Sequence, residues 1–343
     1  QLSYWSGRQR FEYRYRILVC VTILQALMNP IASLVLIRIN GGTAMMRILG
    51  IVGVQVCICV PIIVFQFCKG KEFFSKEYWG YALRIGIPIV PHYLSGIILN
   101  QGDRIMIDKM VGKTEVALYG LAYSIGMLVQ LFISGMNSAL TPWMYSKIKK
   151  GDIRSMRKVL QLLSIVVVGI AVALMLISPE MVLIFGSPKY REAVYVIPPV
   201  AASVFFIFIY NILSMPQFYY EKTQFLMAAS MAAAGANVVL NFIFIRLFGY
   251  IAAGYTTLAC YMLYSVGHYI VSKRILVNEG IQENLMSPGF LVACSVFLIG
   301  ASIICNLIFP YRILRYAILL ASAGLVFWKK ELLQKTMADI RKK

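Results

Sequence analysis

Val159-Leu-Gln-Leu-Leu-Ser-Ile-Val-Val-Val-Gly-Ile-Ala-Val-Ala-Leu-Met-Leu-Ile-Ser178 runs for 20 residues without a charged side chain. As a helix this stretch is about 30 Å long, the thickness of the hydrocarbon core of a bilayer. In lipid the backbone must satisfy its own hydrogen bonds, so an isolated run of this kind is a spanning helix. Nine more runs surround it: Ile17–Ile37, Ile48–Phe67, Ala82–Gln101, Val116–Leu140, Ala193–Ser214, Phe225–Ile245, Tyr250–Ser272, Gly289–Phe309 and Ile313–Trp328. The expected fold is therefore all-α, integral to a membrane, with about ten transmembrane helices. A transmembrane β-barrel would instead alternate in segments of about 10 residues.

Composition agrees. Of 343 residues 60% are hydrophobic and only 14% charged, and mean hydropathy is +0.75. A soluble globule would leave too much hydrocarbon in water, and disordered chains are poor in such residues. The net charge is +19, from 33 Lys and Arg against 14 Asp and Glu. Most of it is topology. The opening segment, Cys68–Tyr81 with Arg84, Met144–Lys158, Met215–Gln224, Lys273–Pro288 and the tail hold 23 of the cations, and the alternate gaps hold 10. The positive-inside rule places the first set, and both ends, in the cytoplasm. Lys147–Lys158 and Lys329–Lys343 carry six cations each, as suits solvated segments beside anionic lipid.

Asn29–Arg38 and Asn237–Arg246 are similar: Asn, Ile and Arg recur at an offset of 208, followed by Gly41 and Gly249. Two parallel-repeat halves are a common transporter plan. The second half supplies six spans, and its last two match the first two of this chain. The repeat thus predicts four further helices before Gln1 and a parent of about 14 spans.

Few groups are chemically conspicuous. The seven cysteines sit in or at the ends of apolar runs, and Cys57-x-Cys59 has no second pair, so neither a disulfide framework nor a metal site is expected. There is no Gly-rich phosphate loop or Walker lysine, and no cofactor is expected. Asn100-Gln101 and Asp103-Arg104 close the third span. Arg104 suits bidentate phosphate contact, with Asp103 orienting it; a headgroup-level ion pair is the alternative. Pro88 and Pro91 remove backbone hydrogen bonds in the same helix and form either a gating hinge or a fixed kink. His92 and His268 read as hydrogen-bonded neutral histidines or as proton relays. The span amides include Gln25, Asn29, Gln55, Gln130, Asn137, Asn211, Asn237 and Asn241. They cement helices, or, with tyrosines, line a sugar-binding cavity. Asn237 and Asn241 share a face.

Ile87-Pro-Ile-Val-Pro-His-Tyr93 through Leu99-Asn-Gln-Gly-Asp-Arg-Ile-Met-Ile107 resembles the seventh helix of Wzx-type polysaccharide flippases. Leu118-Tyr-Gly-Leu-Ala-Tyr-Ser124, Asn137-Ser-Ala-Leu-Thr-Pro-Trp143, Lys189-Tyr-Arg-Glu-Ala193, Tyr219-Tyr-Glu-Lys-Thr223 and Phe248-Gly-Tyr-Ile-Ala-Ala253 follow in that family's order. The resemblance implies the multidrug/oligosaccharidyl-lipid/polysaccharide exporter superfamily, with two six-helix lobes plus two helices. In that order residues 1–80 are the remnant of the N-terminal lobe (helices five and six). Residues 81–272 are the six-helix C-terminal lobe, and 273–343 are two extra helices and a basic tail. The implied activity is movement of an undecaprenyl-diphosphate-linked oligosaccharide across the cytoplasmic membrane by alternating access, not enzymatic catalysis. Coupling to a proton or sodium gradient or to membrane potential, and a polysaccharide polymerase partner, follow from the same resemblance. The substrate-binding expectation covers Arg104, Asp103, Gln101, Asn100, Asn137, Asn237 and Asn241. Rival readings are a peptidoglycan-precursor flippase, a cation-coupled drug exporter and a membrane-embedded polymerase or glycosyltransferase. The external gaps are short for the last.

Overall fold

Each apolar run forms helix, and the places where helices break are set by contacts that hydropathy does not register. The computed structural model describes residues 2–39, 44–71 and 74–328. Gly41 and the basic tail from Lys329 fall outside these residues, as does the side chain of Pro88. The helices are α1 (Leu2–Phe11), α2 (Tyr15–Ile39), α3 (Ala44–Gly70), α4 (Lys76–Met110), α5 (Lys113–Gly126), α6 (Leu128–Lys149), α7 (Ile153–Phe185), α8 (Ile197–Tyr219), α9 (Thr223–Phe248), α10 (Ala252–Asn278), α11 (Pro288–Ile308) and α12 (Arg312–Trp328). A 3-10 helix, Pro188–Val196, leads into α8. Among the described residues there is no strand.

Eight helical segments of the described chain are long and apolar enough to cross a membrane. The protein is an all-α, multi-pass membrane protein. Two of the ten runs fall short for different physical reasons. α12 has only 17 residues. α10 has 27, but Thr256, Thr257, Tyr261, Tyr264, Ser265 and His268 make it too polar, and all six are buried in protein.

The chain divides into two compact units, Gln1–Leu83 and Arg84–Lys343. In the first, α2 and α3 form a close hairpin. Ser33 Oγ donates to Asn29 O at 2.7 Å and reaches Arg47 O at 3.2 Å. Gly50 allows this approach, because a Cβ there would stand 2.6 Å from Ser33 Cα.

In the second unit α8 is the central post. It is apolar almost all round and nearly all of it is buried, as expected for a helix enclosed by others. It packs against α5, α6, α7, α9, α10 and α11. The predicted span Val116–Leu140 is interrupted at Met127, between α5 and α6. Gly126 abuts α8 so closely that a Cβ would lie 2.6 Å from Val200 Cγ1. The long α7 buries one stripe at helical spacing, including Ile153, Met156, Leu160, Ser164, Val167 and Ala171.

The cationic stretch Lys147–Lys158 is not an open loop. It comprises the end of α6, a turn and the start of α7. Asp152 caps α7: its carboxylate accepts from Lys147 Nζ at 2.7 Å, Ser155 Oγ at 2.7 Å and Ser155 N at 3.3 Å. The Lys147 ammonium, then the Ser155 hydroxyl, hold the Asp152 carboxyl down at about 2.

α12 is clasped to α7 by a fork. Arg315, 3% exposed, donates from Nη1 to Glu180 Oε2 at 2.8 Å and from Nη2 to Glu180 Oε1 at 2.9 Å. Nη1 also reaches the Leu176 carbonyl at 2.7 Å. Bidentate pairs of this kind are the strong ones.

Two outcomes follow. Gly50→Ala should lower the thermal midpoint of the detergent-solubilised chain, with an overpacking cost of about 1–3 kcal/mol. Gly53→Ala, whose Cβ would meet nothing within 4 Å, should not. Glu180→Ala should cost about 3 kcal/mol, because it strands a buried guanidinium. The double change Glu180→Ala/Arg315→Leu should recover most of that loss in the same melt. A double variant no more stable than the single one would show that the fork does not hold α12.

Candidate substrate cavity

One helix carries two stripes of different character. On α4, Leu99, Asp103 and Ile107 recur every four residues and are fully buried. His92, Gly96, Asn100 and Arg104 recur at the same interval, one position on, and line a cavity. Successive helical residues point about 100° apart. Asp103 and Arg104 are adjacent in sequence and serve different places for that reason.

The cavity measures about 740 Å³ and opens between parts of α4, α5, α8 and α10 within the second unit. Its polar wall is amide and phenol: Asn100, Gln101, Tyr123, Asn211, Tyr261 and Tyr264 among them. Arg104 is the one Lys or Arg among the described lining residues, and no carboxylate lines it. Arg104 Nη1 donates to Gln101 Oε1 at 3.3 Å, and the guanidinium lies 5.2 Å from the centre of the Tyr123 ring. Its Nε is buried without a partner. A guanidinium has five N–H donors in a planar fork, so most of this capacity is uncommitted.

Asn100 fixes the wall. Its Oδ1 accepts from Tyr123 at 2.7 Å and from Tyr261 at 3.3 Å, and its Nδ2 donates to the Gly96 carbonyl at 2.7 Å. Tyr210 stacks with Tyr261, with ring centres 6.3 Å apart and planes 8° from parallel, and sits 4.5 Å from Tyr264. Flat aromatic faces and amides are the groups that meet sugar rings and hydroxyls.

Behind the wall lies the Asp103 network. Asp103 is 0% exposed. It accepts from Tyr119 on α5 at 2.5 Å, from Thr257 on α10 at 2.7 Å and from Asn241 Nδ2 on α9 at 2.5 Å. Asn241 also donates to Asn237 Oδ1 at 3.2 Å and accepts from the Thr256 hydroxyl. Asp103 does not orient Arg104; Gln101 contacts the guanidinium instead.

The structure therefore brings Asn100, Gln101 and Arg104 together in the cavity. It gathers Asp103, Asn237 and Asn241 beside it, out of solvent. Asn137, on α6, is not among the residues lining the cavity. α4 remains helical through positions 88 and 91, and Ser95 Oγ donates to the Pro91 carbonyl at 2.7 Å. The tyrosines of the wall were not singled out from sequence. A signal was present: Thr257, Tyr261, Tyr264 and His268 trace one face of α10.

Residues 9–149 match the family model described as polysaccharide biosynthesis protein, and residues 88–243 match the MatE model. "Lsg locus putative protein 1" of Haemophilus influenzae is 28% identical over 172 residues, which are 47% of this chain and 41% of that protein. An "Uncharacterized membrane protein" of the same organism is 29% identical over 191 residues, 52% of this chain and 46% of that protein. The chain spans less than half the length of these curated relatives. No solved structure matches it. Each family model covers less than half of the chain, which is thus similar in part to polysaccharide biosynthesis and MatE proteins and to two Haemophilus influenzae proteins.

Asp103→Asn should destabilise the protein by about 2 kcal/mol or more, because an amide nitrogen would face converging donors that need an acceptor. Thermal melting in detergent checks this. A wild-type midpoint would show that the buried carboxyl does not organise α5, α9 and α10.

Proposed function

We propose that the chain forms part of a flippase that carries an undecaprenyl-diphosphate-linked oligosaccharide across the cytoplasmic membrane by alternating access. The product serves surface polysaccharide assembly, as O-antigen, capsule or exopolysaccharide. The carrying observation is the cavity, whose described lining residues include one Lys or Arg, several tyrosines and several amides and no carboxylate. The diphosphate meets Arg104, the sugars meet the amides and phenol rings, and the lipid tail stays in the bilayer. Both ends of the chain lie in the cytoplasm, as the cation bias of the loops indicates. The partners are the lipid-linked oligosaccharide, anionic lipids beside the basic segments, and a polysaccharide polymerase complex. An ion gradient or the membrane potential drives the cycle.

The test is transport of a fluorescent diphosphate-linked oligosaccharide in vesicles containing the full-length protein. Arg104→Ala should lower the rate at least tenfold, equivalent to about 1.4 kcal/mol. It should leave the melting temperature near wild type, because the guanidinium makes only one long hydrogen bond within the protein. Unchanged transport at equal expression would remove Arg104 from the site.

A further inference from the structure

His92 stands in the cavity wall about 18 Å along α4 from Arg104, twelve residues at the helical rise. Its Nδ1 faces two hydroxyl groups. It lies 2.6 Å from Ser230 Oγ on α9 and 2.9 Å from the Tyr264 hydroxyl on α10. The Ser230 hydroxyl spends its single hydrogen on the Leu226 carbonyl. Ser230 Oγ can therefore accept from a ring N–H, and the Tyr264 hydroxyl, 3.2 Å from Ser230 Oγ, can donate to that same oxygen. The tautomer with its hydrogen on Nδ1, donated to Ser230, leaves a lone pair on Nε2 of a ring that lines the cavity. A neighbour's hydrogen bond selecting the reactive nitrogen is a common device of histidine chemistry.

The groups around His92 can be named element by element. Tyr93 and Arg104 come from α4, Tyr210 and Phe218 from α8, Ser230 from α9, and Tyr264 and His268 from α10. No lining carboxylate neutralises a charge there. His268 is directed elsewhere, with its Nδ1 2.8 Å from Gln217 Nε2.

We propose that His92 is a proton-dependent anion contact of the cavity. A proton from water binds the Nε2 lone pair. The imidazolium then donates through Nδ1–H to Ser230 and through Nε2–H into the cavity, which acquires a second cation at the end opposite Arg104. Linkage makes the effect reciprocal: an anionic ligand in the cavity draws a proton onto His92. The inference rests on the reading of the cavity as a site for an anionic saccharide.

The test measures binding of a sulfated disaccharide, whose charge is constant between pH 5.5 and pH 8, to the full-length protein in nanodiscs. Tyrosine fluorescence is the readout. The wild type should bind about tenfold more tightly at the lower pH, within the usual range of coupling between sites. His92→Gln should bind equally at both values. Ser230→Ala should move the midpoint of the pH curve downward, because the imidazolium loses an acceptor. His268→Gln should keep the wild-type pH response. The same pH response in His92→Gln as in wild type overturns the proposal and leaves the cavity reading standing. Absence of binding at either pH overturns the cavity reading and the proposal with it.

Discussion

A carboxyl group with no exposed surface has to be surrounded by donors, and Asp103 obtains them from three other helices. This constraint organises the second unit. Leaving a buried acceptor unpaired is costly, so Tyr119, Thr257 and Asn241 hold α5, α10 and α9 in register with α4. The register then decides what the next residue of α4 does. With Asp103 committed to the interior, Arg104 can only turn to the cavity, and Asn100 takes its place one helical turn before it. The polar wall is thus fixed from behind by a group that does not itself line it.

The cavity combines one cation with a tyrosine and amide lining, and it is supported by the apolar post of α8. The division of labour is physical. α8 supplies bulk and close packing through residues such as Phe205 and Phe208, both fully buried. α4 and α10 supply polar stripes at helical spacing, and Tyr123 of α5 and Asn211 of α8 complete the wall. Electrostatic attraction to a guanidinium in a partly buried wall is stronger than in bulk water. It leaves the sugar-facing groups neutral and adaptable.

Much of the architecture was legible in the sequence because a bilayer imposes a simple rule of length and apolarity. All ten runs are helical. The break at Met127 was not legible; beside it Gly126 meets Val200 from a distant part of the chain. Asp103 and Arg104 were read as a pair because they are neighbours in sequence, but helical rotation separates them. The partners of Asp103 lie 16, 138 and 154 residues away, so only folding reveals them. The stripe of His92, Asn100 and Arg104 needed nothing beyond counting by fours.

α10 carries a consequence for biogenesis. On its own it is too polar to partition stably into lipid as it leaves the ribosome, since its hydroxyls and His268 would be dehydrated without partners. α8 and α9 precede it in the chain and supply those partners: the Phe206 carbonyl to Ser265, Gln217 to His268, Asn241 to Thr256. Stable residence of α10 in the bilayer therefore depends on α8 and α9.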